Sequence, residues 1–359
     1  MVPVIDMHCD TAGLIYSRDL QAANAGKEKK GGSGYSFTIL PEEMENGISF
    51  RRNSRQIDFE KMKKGGYMCQ CFAHYVSKGL CEQMDLAPFE LLTNMLKNTD
   101  KAFAENSDLI RPALSGSDIE KNFKEGYMSG LKTVEEGIPY EGKLENLYKA
   151  YELGVRKSTL TWNYENELGF SNLVDGKWTY DTERGLKKTG IEFILAMEEM
   201  GMIIDVSHLN DAGIRDILNT VKPNTPVIAS HSNARAVCGH PRNLTDEFLK
   251  EMAEHGGVTG INFCPAFLTD ANKNAPSPKE SHSRISDMII NMKHIKNVAG
   301  IDMVAMGTDF DGTSGVMEIE NCSKMQLLAE AMEKEGFTID EIEKVLYKNA
   351  LRVYKEVLG

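Results

Sequence analysis

Short apolar runs alternate with amphipathic stretches through most of this chain. Eight runs have the length and composition of strands. One ends at Met7 and one at Val134; the others cover residues 67–76, 155–162, 202–207, 226–230, 258–263 and 302–308. Between them lie stretches with helical spacing. Residues 88–105 carry good helix formers and no internal breaker. In 191–200, Ile191, Ile194 and Leu195 share one face and Gly201 ends the helix. Further helices fit 211–221 and 286–298. Thr245 caps another, with Phe248, Leu249 and Met252 facing inward and Gly256-Gly257 stopping it. Ser117 with Glu120 and Thr338 with Glu341 have capping-box spacing. The second pair precedes an apolar stripe of Ile342, Val345 and Leu346, within a tail from Cys322 that adds two helices. Residues 22–34 are polar and Gly-rich. They predict a surface loop, not a phosphate cradle, because no Lys-Ser/Thr follows the glycines at P-loop spacing. A Pro- and Ser-rich loop, 265–283, is expected to fold over the rim.

Eight strands alternating with helices predict an α/β fold: a parallel (β/α)8 TIM barrel with extra C-terminal helices, in one domain over residues 1–359. An open, doubly wound sheet is the competitor. It does not explain why chemically active residues follow strands so far apart in order.

Composition narrows the setting. The chain has 359 residues, 41% of them apolar and 26% charged, enough for a large core in an ordinary soluble enzyme. A formal net charge of −12 argues against nucleic-acid or anionic-membrane partners, which need a cationic surface. Seven scattered cysteines give no disulfide framework; reduced thiols, and so a cytoplasmic protein, fit better. That expectation agrees with an N-terminus that enters a strand without the basic and long apolar stretches of a signal peptide. No run of 18 apolar residues predicts a membrane span.

The candidate chemistry sits at strand ends. His8 and Asp10 follow the first strand, Glu135 the third, His208 the fifth, His231 the sixth and Asp309 the eighth. In a barrel these ends share one rim, and three buried imidazoles among carboxylates are costly unless metal-bound. His8 and Asp10 are two apart and point to the same side, which turns Cys9 away. Imidazole with carboxylate favours zinc, and two ions would need a bridge; Mn²⁺, Co²⁺ or Fe²⁺ fit the same donors. Glu135 and Lys157, the latter as a carboxylated lysine, are rivals for the bridge. Glu135 is preferred because it stands at a strand end, whereas Lys157 comes early in its strand. Glu136 beside it reads as a solvated loop charge. Asp309 is placed to take a proton from a bridging water, present as hydroxide near neutral pH, and pass it to a leaving amine. Asp311 next to it is the alternative. Arg242 offers a planar fork for a substrate carboxylate.

In order, these segments resemble the membrane (renal-type) dipeptidase family of the amidohydrolase superfamily. The resemblance rests on Ile5-Asp6-Met7-His8-Cys9-Asp10-Thr11, Val134-Glu135-Glu136-Gly137, Thr159-Leu160-Thr161-Trp162-Asn163 and Gly201-Met202-Ile203-Ile204-Asp205-Val206-Ser207-His208. It continues in Ala229-Ser230-His231-Ser232-Asn233-Ala234-Arg235, His240-Pro241-Arg242-Asn243-Leu244, Gly307-Thr308-Asp309-Phe310-Asp311-Gly312 and Asn349-Ala350-Leu351-Arg352-Val353. It implies a dinuclear zinc barrel that hydrolyses dipeptides and tolerates a C-terminal D-residue. His8 and Asp10 would serve one metal, His208 and His231 the other, with Glu135 bridging, Asp309 handling protons and Arg242 binding the substrate carboxylate. The resemblance is compatible with a homodimer, although no exposed apolar stripe marks its face.

Two positions depart from the family pattern. Trp162 stands where renal-type enzymes carry a carbonyl-polarising histidine, which leaves that task to a metal, Trp162 or Asn163. Cys264 replaces a common aromatic residue. Two further readings stay open: a related amidohydrolase acting on another small amide, such as a β-lactam or modified dipeptide, and a non-catalytic metal-binding barrel. Neither Asp309 nor Arg242 has a part in the last.

Overall fold

Apolar strands that cannot bury both faces alone are closed here into a ring. The computed structural model describes residues 1–16 and 48–359; the polar stretch 22–34 lies outside the described residues. The ring contains β1 (Val4–Cys9), β2 (Tyr67–Tyr75), β3 (Met128–Glu135) and β4 (Val155–Thr159). It continues with β5 (Ile203–Asp205), β6 (Val227–Ala229), β7 (Val258–Ile261) and β8 (Val304–Met306). All neighbours are parallel, and the β1–β8 and β2–β3 pairings close the barrel. A short extra strand, Ile110–Pro112, pairs with the beginning of β3, whose later residues pair with β4.

The later strands are shorter than their apolar runs. β8 covers three residues because Ile301–Met303 forms a 3-10 turn and the chain leaves the sheet after Met306. Residues beyond each short strand remain buried at the rim, where side-chain and bridging hydrogen bonds replace the ladder. The register shift on β1 between Asp6 and Cys9 belongs to the same irregular end.

The helix Pro88–Glu105 has the expected bounds and buries Leu91, Leu92, Met95 and Leu96. Thr245 caps Asp246–Glu254, and Thr338 with Glu341 makes both bonds of a capping box. Three local expectations need correction. Ser115, not Ser117, caps Gly116–Lys124, accepting from the Asp118 N–H, so no box forms with Glu120. In Lys188–Met200 the buried face is Phe193, Ile194, Ala196 and Met197, while Leu195 is exposed; the helix begins earlier and turns its stripe. Residues 265–283 are several helical turns rather than open loop, and His282–Ser283 pairs with Val316–Met317.

The C-terminal helix Asn349–Leu358 seals the barrel's N-terminal end. Its Ala350, Val353 and Tyr354 share a buried cluster with Ile5, Cys71, Leu131 and Ile203. That leaves the opposite rim for chemistry. Among the described residues, no helix is long and apolar enough to cross a membrane. All seven cysteines are free.

Candidate metal centre

Five strand ends deliver their donors into one small volume. His8, near the end of β1, lies 3.4 Å from Asp10, 3.7 Å from Glu135 and 4.0 Å from Asp309, measured from Nε2 to carboxylate oxygen. Glu135 ends β3, and its Oε1 stands 2.9 Å from His208 Nε2 and 3.5 Å from His231 Nε2. The latter two nitrogens approach within 2.9 Å of each other. His8, Glu135 and His231 form one set of converging donors; His8, Asp10 and Asp309 form the other. Glu135 is thus placed beside both pairs, as a bridging carboxylate would be.

The outer bond of His208 fixes what that ring presents inward. His208 Nδ1 lies 2.9 Å from Asn163 Oδ1, an acceptor only, so Nδ1 carries the proton and Nε2 presents a lone pair. His231 Nδ1 is 2.8 Å from Ser230 Oγ. Both His8 ring nitrogens are buried and make no hydrogen bond. Lone pairs and carboxylates therefore meet with too few hydrogens among them, an arrangement that divalent cations satisfy. The donors fit metal.

Electrostatics point the same way. Burial pushes Glu135 well above the usual carboxylate range; His8 opposes this, while Asp10 and Asp309 add to it. Burial and then Asp309 do the same to Asp10. His208 and His231 are driven well below the ordinary histidine value, first by burial. Neutral imidazoles are the form that binds metal.

The remaining candidates fall around this cluster. Asn262 Nδ2 donates to Asp309 Oδ2 at 2.9 Å, leaving Oδ1 toward His8. Asp311 is engaged instead with Thr11 Oγ1 and the Gln56 N–H, at 2.6 and 2.9 Å. Arg242 is buried, with Nε and Nη2 lacking an acceptor; burial lowers its pKa, and Asp309 and Glu135 oppose that. Trp162 is half-buried in an aromatic group, with ring centroids 4.9 Å from Tyr75, 5.7 Å from Tyr164 and 5.8 Å from His208. Asn163 commits its carbonyl to His208 rather than leaving it free for substrate. Cys9 turns away and receives the Thr11 hydroxyl. Lys157 is held inside the barrel by Asp205, 2.9 Å away, and does not reach the cluster.

Glu136 departs from expectation. It is fully buried, and its carboxylate accepts from the N–H groups of Ile138 and Trp162 and from Asn166 Nδ2. Burial outweighs those bonds and pushes it up to about 7. Strand-end counting also passed over Asn262 and Asp6. Asn262 is a polar residue directly after the apolar β7, so the same rule could have found it. Asp6 is a charged residue inside an apolar strand; it accepts from Thr308 N and Oγ1 at 2.9 and 2.7 Å, tying β1 to β8.

The rim is also strained. His208, Asp309, Asp311 and Glu136 have φ of 74, 61, 67 and 88°, conformations costing about 1–3 kcal/mol each outside glycine. At Gly312 a Cβ would lie 2.0 Å from Asp10 Oδ2 and 2.5 Å from Asp309 Oδ1, so a larger residue there must displace those carboxylates.

Comparison with known proteins gives a consistent set of relatives. The family model described as membrane dipeptidase, peptidase family M19, matches residues 1–358. An uncharacterized protein in the pqqA 5' region of Klebsiella pneumoniae is 31% identical over 272 residues, covering 75% of this chain and 97% of its own. Dipeptidase aclJ of Aspergillus oryzae is 29% identical, over 84% of this chain and 70% of its own. In fold, the chain is similar to a metallo peptidase from Rhodobacter sphaeroides solved with a phosphinate mimic of L-Ala-D-Ala. The TM-score is 0.81 at 22% identity, over 100% of this chain and 99% of the other.

Proposed function

The chain belongs to the membrane dipeptidase family, peptidase family M19, and on that footing we propose that it hydrolyses the peptide bond of small free dipeptides with two zinc ions. The observation that carries this reading is a buried Arg242 with two unused N–H groups beside a cluster of converging metal donors. A structural metal site has no use for such a cation. A substrate ending in a free carboxylate does.

His8 and Asp10 would hold one ion and His208 and His231 the other, with Glu135 between them. When bound, the ions supply the electrophilic pull that makes a water nucleophilic near neutral pH. Arg242 clamps the C-terminal carboxylate of the dipeptide and so sets the scissile bond across the cluster. Asp309, oriented by Asn262, takes the proton as the water oxygen bonds to the carbonyl carbon, and returns it to the amine nitrogen as the C–N bond breaks. Asn163 holds the His208 ring. Trp162 brings bulk and one N–H donor but cannot relay a proton. The relative solved with an L-Ala-D-Ala mimic supports tolerance of a D-residue at the C-terminal side.

Metal analysis of purified protein, followed by hydrolysis of L-Ala-L-Ala, L-Ala-D-Ala and C-terminally amidated controls before and after chelation, tests the reading. We expect two metal equivalents, turnover of the free dipeptides abolished by chelation, and poor turnover of the amides. A metal-loaded protein indifferent to both free dipeptides would move the assignment to another small amide.

A further inference from the structure

We propose that Glu136 is a positioning residue that holds the His208 side of the metal centre through the loop carrying Trp162 and Asn163. This rests on the reading of His208 as a metal ligand.

The argument starts from a carboxylate buried without exposure and held by N–H groups. Oε1 takes the Ile138 N–H at 3.0 Å and Asn166 Nδ2; Oε2 takes the Trp162 N–H at 2.7 Å. Asn166 in turn bonds Leu160 O, Leu168 N and Gly169 N, the two ends of the same loop. The Glu136 N–H is fixed to Thr159 Oγ1 at 2.8 Å, at the end of β4. Gly137 packs beneath, where a Cβ would meet Leu160 O at 2.4 Å.

These contacts close a ring. Glu135 is covalently joined to Glu136, which fixes the Trp162 backbone. The next residue, Asn163, bonds His208 Nδ1, and His208 Nε2 returns to Glu135 at 2.9 Å. Glu136 makes these bonds with φ at 88°. Burying a carboxyl group on a strained backbone is costly, and a loop needed only for connection could be held by simpler neutral groups. The arrangement instead registers an imidazole after β5 against a carboxylate on β3, two strands away. Partners behind a metal ligand commonly govern its affinity.

Stepwise Co²⁺ titration followed by visible absorption tests this without relying on turnover. Glu136→Gln keeps the shape but turns an N–H group toward the Trp162 N–H. Glu136→Gly removes the carboxylate while relieving the positive φ, so it covers a failure of the first variant to fold. We expect two Co²⁺ equivalents in the wild type, and about tenfold weaker binding of one in either variant with an altered spectrum. Combining Glu136→Gln with Asn163→Ala should cost little more than Asn163→Ala alone, because one acts through the other. Asn349→Ala, which loses two bonds at the sealed end of the barrel, should lower Tm and leave the titration unchanged. Wild-type titration with unaltered variants, or additive losses in the double variant, would overturn the proposal alone. No Co²⁺ uptake by the wild type would remove the metal reading with it.

Discussion

Asp205 and Glu135 are both buried carboxylates at strand ends of one barrel, yet their surroundings are opposite. Asp205 lies a layer beneath the rim, with Lys157 Nζ at 2.9 Å and the N–H groups of Ser207 and Ser230 at 3.0 and 2.9 Å. Burial alone would raise it, but Lys157 and the hydrogen bonds win and bring it down to about 2. Glu135 has imidazole nitrogens and other carboxylates for neighbours, and burial wins. Asp205's charge is closed by the protein; on the proposed reading, Glu135's is left for a cation to close. On that reading, the contrast separates charges that hold the barrel from charges set aside for chemistry.

The largest way to break that contrast is Glu135→Gln. It should cut kcat by about 10⁴-fold, the several kcal/mol that metal assistance supplies, and reduce bound metal in elemental analysis. Near-normal turnover would show that Glu135 is as structural as Asp205. Asp309→Asn should lower kcat by about 10³-fold through loss of proton transfer, with metal content retained. Loss of metal instead would recast Asp309 as a ligand.

The structural partner predicts the reverse pattern. Lys157→Met leaves Asp205 uncompensated and should destabilise the protein by about 3–5 kcal/mol in denaturant unfolding. Adding Asp205→Asn, which can still accept from Ser207 and Ser230, should recover much of that loss. A double variant less stable than Lys157→Met would contradict the pairing.

The smallest effect is in acid. Asp205 has a folded pKa of about 2 against an ordinary 3.8, so its contribution is complete above 3.8 and is lost as pH falls through about 2. Thermal unfolding between pH 5 and 2 should show this step in the wild type and not in the neutral double variant.

Alternation and strand-end counting located the barrel and led to His8, Asp10, Glu135, His208, His231 and Asp309, because a parallel barrel puts every strand's C-terminal end at one rim. The same reasoning preferred Glu135 to Lys157 from position in the strand alone. It failed at Glu136, since periodicity says which way a residue points but not whether a later loop will cover it. Ser115 and Leu195 show the smaller version: caps and faces shift by a residue or two with packing that local spacing does not contain.

Local sequence thus determined the eight barrel strands, their parallel closure and the residue types carried to the rim, since these follow from period, length and chain direction. Tertiary structure alone decided that Lys157 meets Asp205, that Asn163 and Ser230 orient imidazoles, and that Glu136 is enclosed. Those outcomes depend on distances of a few ångströms between segments far apart in the chain, and no residue's own preference encodes them.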